Sequence, residues 1–147
     1  MKLTRWMGFA GTLVFALGMV GVRTAYAVDV CSLLTPAEAS SALGVPEVKA
    51  GAGANRCTWT PKEYKAGAGT LTVQIEGAND SAKMTNQGTA VGGVGDEAIQ
   101  TVLASTGSSV LHVRKGTTWF VVNVHGVPVG QATQVEKTVA EAVAGRL

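Results

Sequence analysis

The run from residue 97 to 125 constrains this chain most. Three short stretches rich in β-branched and apolar residues, about 97–103, 108–114 and 118–125, are separated only by Ser105-Thr106-Gly107 and by Lys115-Gly116. Both connections are turn chemistry, and both force the chain straight back on itself. The run therefore reads as an antiparallel meander. Parallel strands would need a crossover of about a dozen residues or more between them, and none is available here.

The last hairpin can be given a register. With Lys115-Gly116 at the turn, Arg114 faces Thr117, Val113 faces Thr118, Leu111 faces Phe120 and Ser109 faces Val122. Side chains alternate along a strand, so Leu111, Val113, Phe120, Val122 and Val124 share one face, which is a core face. The other face carries Val110, His112, Arg114, Trp119, Val121, Asn123 and His125. In this register His112 stands beside Trp119.

Two more strands and two helices surround the meander. Thr35, Pro36 and Glu38 form a capping box with proline at the first helical position, and Gly44 followed by Val45-Pro46 stops the helix, giving about 36–43. Ala50-Gly51-Ala52-Gly53-Ala54 reads as a flexible connector. Arg56 to Thr60 is a short strand that Pro61 ends. Leu71 to Glu76 alternates strictly, with Leu71, Val73 and Ile75 inward. Asn79 or Asp80 caps a short helix through Gln87, and Gly88 to Gly95 is too glycine-rich for regular structure. Pro128 and Gly130 open a final helix, about 131–145, with Val135, Val139, Ala142 and Val143 inward and Glu136, Lys137, Glu141 and Arg146 outside. The expectation is an α+β domain: about five antiparallel strands, with the N- and C-terminal helices packed on one face.

The chain has 147 residues, and its first 27 have the form of a signal peptide. Lys2 and Arg5 lead, Trp6 to Val22 carries no charge, and Ala25-Tyr26-Ala27 is an A-x-A cleavage site. Residues 28–147 then form a single domain, exported to the periplasm or beyond the cell, with no stable membrane span after cleavage. Removing Lys2, Arg5 and Arg23 turns the formal charge of +2 into −1. A net-acidic domain without a clustered Lys/Arg face excludes a strongly cationic nucleic-acid binder. Cys31 and Cys57 are the two cysteines, and in an exported chain they have one intramolecular pairing available, so a disulfide is expected.

Several of these residues fall into a pattern: Cys31-Ser32-Leu33-Leu34-Thr35-Pro36-Ala37-Glu38-Ala39, Leu43-Gly44, Cys57-Thr58-Trp59, Gly93-Val94-Gly95-Asp96-Glu97-Ala98, and Leu111 to Gly116. It resembles a family of small exported bacterial domains of unknown function, many of them actinobacterial lipoproteins. The likeness covers most of residues 29–125. It implies an open-faced α+β sandwich similar to PsbP-like proteins and a Cys31–Cys57 bridge, and it carries no assigned activity. Val28-Asp29-Val30 departs from the lipoprotein members, which have small residues before the cysteine.

Catalytic constellations are scarce. Gly92-Gly93-Val94-Gly95 precedes a strand rather than a helix, so it reads as a turn and not a phosphate loop. Asp96 and Glu97 are neighbours on an extended segment and point apart, which suits turn closure better than acid/base chemistry. His112 and His125 lie too far apart in the proposed register to share a metal. Ser105, Ser108 and Ser109 read as turn residues. No cofactor motif is present, and the chain is expected not to be an enzyme. The feature above background is the outer-face set Trp119, His112, Arg114, Asn123, Val110 and Val121, an aromatic and aliphatic patch with polar anchors. It is the candidate binding face for a protein or small-molecule partner, in an exported binding module. The alternatives are an envelope structural or inhibitor-type protein and, with less in its favour, a small hydrolase.

Overall fold

The computed structural model describes residues 28–63, 66–77, 88–103 and 105–147. The segment expected to be a signal peptide, residues 1–27, and the short helix expected between Asn79 and Gln87 lie outside the described residues. Helix α1 (Pro36–Leu43) matches its sequence signals. Thr35 Oγ1 accepts from the Glu38 N–H at 3.2 Å, and Glu38 Oε2 accepts from the Thr35 N–H at 2.8 Å. Gly44 then takes φ 64°, where a Cβ would be strained, and the Val45 N–H reaches back to Ser40 O at 3.0 Å.

Among the described residues the sheet has seven strands rather than about five. They are β1 (Val48–Ala52), β2 (Arg56–Pro61), β3 (Thr70–Glu76), β4 (Thr89–Ala90), β5 (Glu97–Leu103), β6 (Ser108–Lys115) and β7 (Thr118–His125). The order is β1-β2-β3-β7-β6-β5-β4, and every neighbouring pair is antiparallel. The two added strands lie at the edges, in segments whose alanine and glycine content argued against regular structure. β1 is the connector expected to be flexible. The Gly53 N–H bonds Arg56 O at 2.8 Å, closing a two-residue loop that folds the segment back on β2. Pairing forms this strand, not local preference.

The β6–β7 hairpin keeps its predicted faces and changes its register. Lys115 pairs Thr118, Arg114 pairs Trp119, His112 pairs Val121 and Leu111 pairs Val122. The turn is Gly116-Thr117, with Gly116 at φ 58°, as a two-residue loop with glycine first requires. The shift relative to the predicted pairing is two residues. A shift of two returns each side chain to its own face, so the core set survived the error.

Helix α2 (Val129–Ala144) packs on β6 and β7, and α1 packs on β1 to β3 and on α2. Both helices thus cover one face. Between them and the sheet lie Leu34, Trp59, Leu71, Val73, Leu111, Val113, Phe120, Val122, Val139 and Val143, all essentially without accessible surface. Cys31, in a single 3-10 turn (Val30–Ser32), is bonded to Cys57 on β2 with Cα atoms 5.1 Å apart. The bridge ties the chain segment before α1 to the buried side of the sheet. Among the described residues no helix is long and apolar enough to cross a membrane.

Candidate functional site

The face away from the helices is built in rows across the strands. One row runs Glu97, Arg114, Trp119, Glu76; the next Ile99, His112, Val121, Gln74; the third Thr101, Val110, Asn123, Thr72, Thr58. All six predicted face residues therefore share one side of the sheet, as their alternation demanded.

They are not equally open. His112 and Val121 are buried, at 3% and 8% exposure, so neither is available to a partner as an exposed contact. This corrects the expectation of an exposed histidine beside Trp119. The residue paired with Trp119 is Arg114, and His112 sits one row inward in mid-sheet, where Nδ1 lies 3.5 Å from Glu76 Oε2. Trp119, Arg114, Val110 and Asn123 are half-buried. Arg114 is oriented by acids: Nε lies 3.2 Å from Glu97 Oε2, and Nη1 donates to Gly116 O at 3.3 Å. Asn123 turns its amide onto the Ser109 carbonyl at 2.7 Å, which locks its rotamer. The accessible part of the face thus includes a half-buried indole with a guanidinium beside it, the guanidinium held by a carboxylate and by turn backbone.

Asp96 has the turn-closing role its position suggested. Its Oδ2 accepts from the Gly116 N–H at 2.7 Å, pinning the tip of the β6–β7 hairpin to the start of β5. That backbone hydrogen bond, with Lys115 and Arg114 nearby, holds its carboxyl below the usual range. The preceding Gly92-Gly93-Val94-Gly95 loop leads into β5, not a helix, and buries Val94. Gly95 is obligatory there: at φ 58°, a Cβ would lie 2.6 Å from Arg114 O.

The polar site that sequence reading missed is beneath α2. Glu136, expected on the outside, is fully buried. Its Oε2 accepts from Ser109 Oγ at 2.7 Å and Gln100 Nε2 at 2.8 Å, and its Oε1 accepts from the Val124 N–H at 3.0 Å. Desolvation raises its pKa, while these donors and, last, the charge on His125 work the other way. Ser109 is likewise a buried strand residue rather than a turn residue. The available signal was parity. Ser109 aligns with Leu111 and Val113 on the inward face, and Gln100 pairs with Leu111, so two polar residues point into an apolar layer and require a partner. A serine beside a carboxylate of raised pKa has some of the parts of a nucleophile–base pair. Here both are without accessible surface, and each hydrogen bond serves packing.

A groove of about 450 Å³ runs between α1 and α2, lined by Leu34, Ala42, Val135 and Val139 among others. Arg146 bridges to Glu38 at its end, with Nη1–Oε2 2.9 Å. His125 ends β7 opposite Thr70, four positions beyond the Val121 that faces His112. Among the described residues no group of three or more His, Cys, Asp or Glu is placed to hold a metal ion.

The chain matches no family model, no curated protein and no solved structure.

Proposed function

We propose that this chain is an exported, non-enzymatic binding module that engages a partner across the face of its sheet opposite α1 and α2. The supporting observation is the pairing of Trp119 with Arg114 on that face, both half-buried, with Arg114 oriented by Glu97 and the hairpin backbone. Tryptophan and arginine are the residues that most often anchor interfaces, because one buries large area at low entropic cost and the other bonds in several directions. An anchor already held in its rotamer loses less freedom on binding. The Cys31–Cys57 bridge fits an oxidising compartment, and the signal-like segment fits export to one. Of the six face residues, Trp119, Arg114, Val110 and Asn123 make contact, and the buried His112 and Val121 pack in the row between them.

The test is co-purification from the periplasm or culture medium with mass spectrometry, comparing the natural chain with Trp119→Ala and with Arg114→Ala. A partner recovered by the first and lost by both variants, each with an unchanged circular dichroism spectrum, supports the reading. A partner retained by both variants contradicts it.

A further inference from the structure

Among the described residues β1 forms one edge of the sheet, and its chemistry fits a second copy of itself. The hydrogen bonds Gly53 N–H to Arg56 O and Lys62 N–H to Glu47 O mark which β1 residues face β2. Bonded pairs alternate along an antiparallel ladder, so Lys49 and Gly51 also face β2, whereas the N–H and C=O groups of Val48, Ala50 and Ala52 point away from the sheet. Among the described residues nothing pairs with β1 on that side. The opposite edge, β4, is only two residues long.

We propose that two chains join β1 to β1, antiparallel about Ala50, so that their sheets become continuous. This centre sets Ala50 against Ala50 and Val48 against Ala52, giving all three outward residues of each chain a partner, with about six hydrogen bonds across the seam. Centring on Val48 would instead set Ala50 against Pro46, which has no N–H to give.

The side chains agree with the backbone. Lys49, the charge that guards the edge, stands against Gly51 of the second copy, where a Cβ would meet only Thr58 O at 3.7 Å. Glu47 stands against Gly53, and the Arg56 side chain of that same chain folds over Gly53, close enough that a Cβ there would lie 2.9 Å from Arg56 Cγ. Glu47 of one chain therefore meets Arg56 of the other on the same face of the sheet, twice by symmetry. Glu47 also pairs with Lys62 of its own chain, so charges alternate across the seam. A two-fold interface of this kind is self-complementary, as closed symmetry requires.

Sedimentation velocity on the mature exported chain tests this over a concentration series. The expected result is a rise from one chain mass to two. Ala50→Pro, which removes an outward N–H and leaves the β1–β2 ladder its donors, abolishes the rise. Arg56→Glu, which sets two carboxylates together, weakens the association by about tenfold. Should Ala50→Pro fail to fold, hydrogen exchange on the natural chain decides: the amides of Val48, Ala50 and Ala52 gain protection with concentration, while those of Lys49 and Gly51 are protected throughout. A single-chain mass at every concentration overturns the proposal. So does a dimer that persists in folded Ala50→Pro, or one that forms without protecting those three amides. None of these readouts involves Trp119, so this result stands or falls apart from the proposed sheet-face partner.

Discussion

Glu136 and Ser109 meet at 2.7 Å beneath α2, with no accessible surface on either residue. The same carboxylate holds Gln100 Nε2 and the Val124 N–H, so one side chain of α2 satisfies donors on β5, β6 and β7. It ties the helix to three strands at once, alongside the apolar contacts of Val135, Val139 and Val143.

Truncation of Glu136 is therefore expected to be severe. Glu136→Ala removes the shared acceptor of Ser109, Gln100 and the Val124 N–H and opens a cavity, and should cost about 2–4 kcal/mol in urea or guanidinium unfolding. Glu136→Gln, which keeps the shape and one acceptor oxygen, should cost about half as much or less. The comparison also carries a pH signature. The pKa of Glu136 is raised above its ordinary 4.5 in the folded chain, so the folded state holds the proton more tightly than the unfolded state. Its favourable contribution is then complete below about pH 4.5 and is lost as pH rises through the folded value. The natural chain should lose stability relative to Glu136→Gln across that window. A constant difference between the two from pH 4 to 8 would show that burial does not shift this carboxyl.

Glu38 behaves in the opposite sense. Hydrogen bonds from Arg146, then from the Thr35 backbone and hydroxyl, lower its pKa to about 2. It favours the folded state above its ordinary 4.5, and that contribution disappears as pH falls through about 2. Glu38→Gln should lower stability modestly near pH 7, since the pair is exposed and screened by salt, and should flatten the acid limb of a thermal stability profile by the same small amount. Thr35→Ala should cost about 1 kcal/mol near pH 7, because it removes the cap itself.

α1 was fully legible because its signals are local: a cap, a proline, a glutamate three residues on and a glycine stop occupy ten consecutive positions. The meander was legible because period-two alternation survives a register error of two. β1 and Glu136 were not legible, for one shared reason. Lys49-Ala50-Gly51-Ala52 has no strand preference of its own, and a glutamate between Val135 and Lys137 looks like the polar face of a helix. Each is decided by residues distant in sequence, β1 by the turn that lays it on β2, and Glu136 by Gln100 and Ser109. The face set was legible as a side of the sheet, and the burial of His112 was not, because burial depends on what the neighbouring rows contribute.

The Cys31–Cys57 bridge closes 26 residues of chain. A chain-entropy estimate gives about 3 kcal/mol for a loop of this size. Replacing both cysteines by serine should lower stability by about that amount and leave the sheet intact, as read by denaturant unfolding with and without reductant. Free-thiol titration of the native protein should find none.

Trp119 and Phe120 are consecutive on β7 and point to opposite faces, which makes them the sharpest pair for the proposed binding face. Phe120 has no accessible surface and packs among the core residues, so Phe120→Ala should destabilise by about 3–5 kcal/mol. Trp119→Ala should cost clearly less in stability while weakening partner binding by about 2 kcal/mol or more. The direct measurement is denaturant unfolding of both variants alongside titration of each against the partner recovered with the natural chain. A stable Trp119→Ala protein that has lost binding is the result expected. A Trp119→Ala protein that unfolds as readily as Phe120→Ala, or that binds as the natural chain does, would contradict the account.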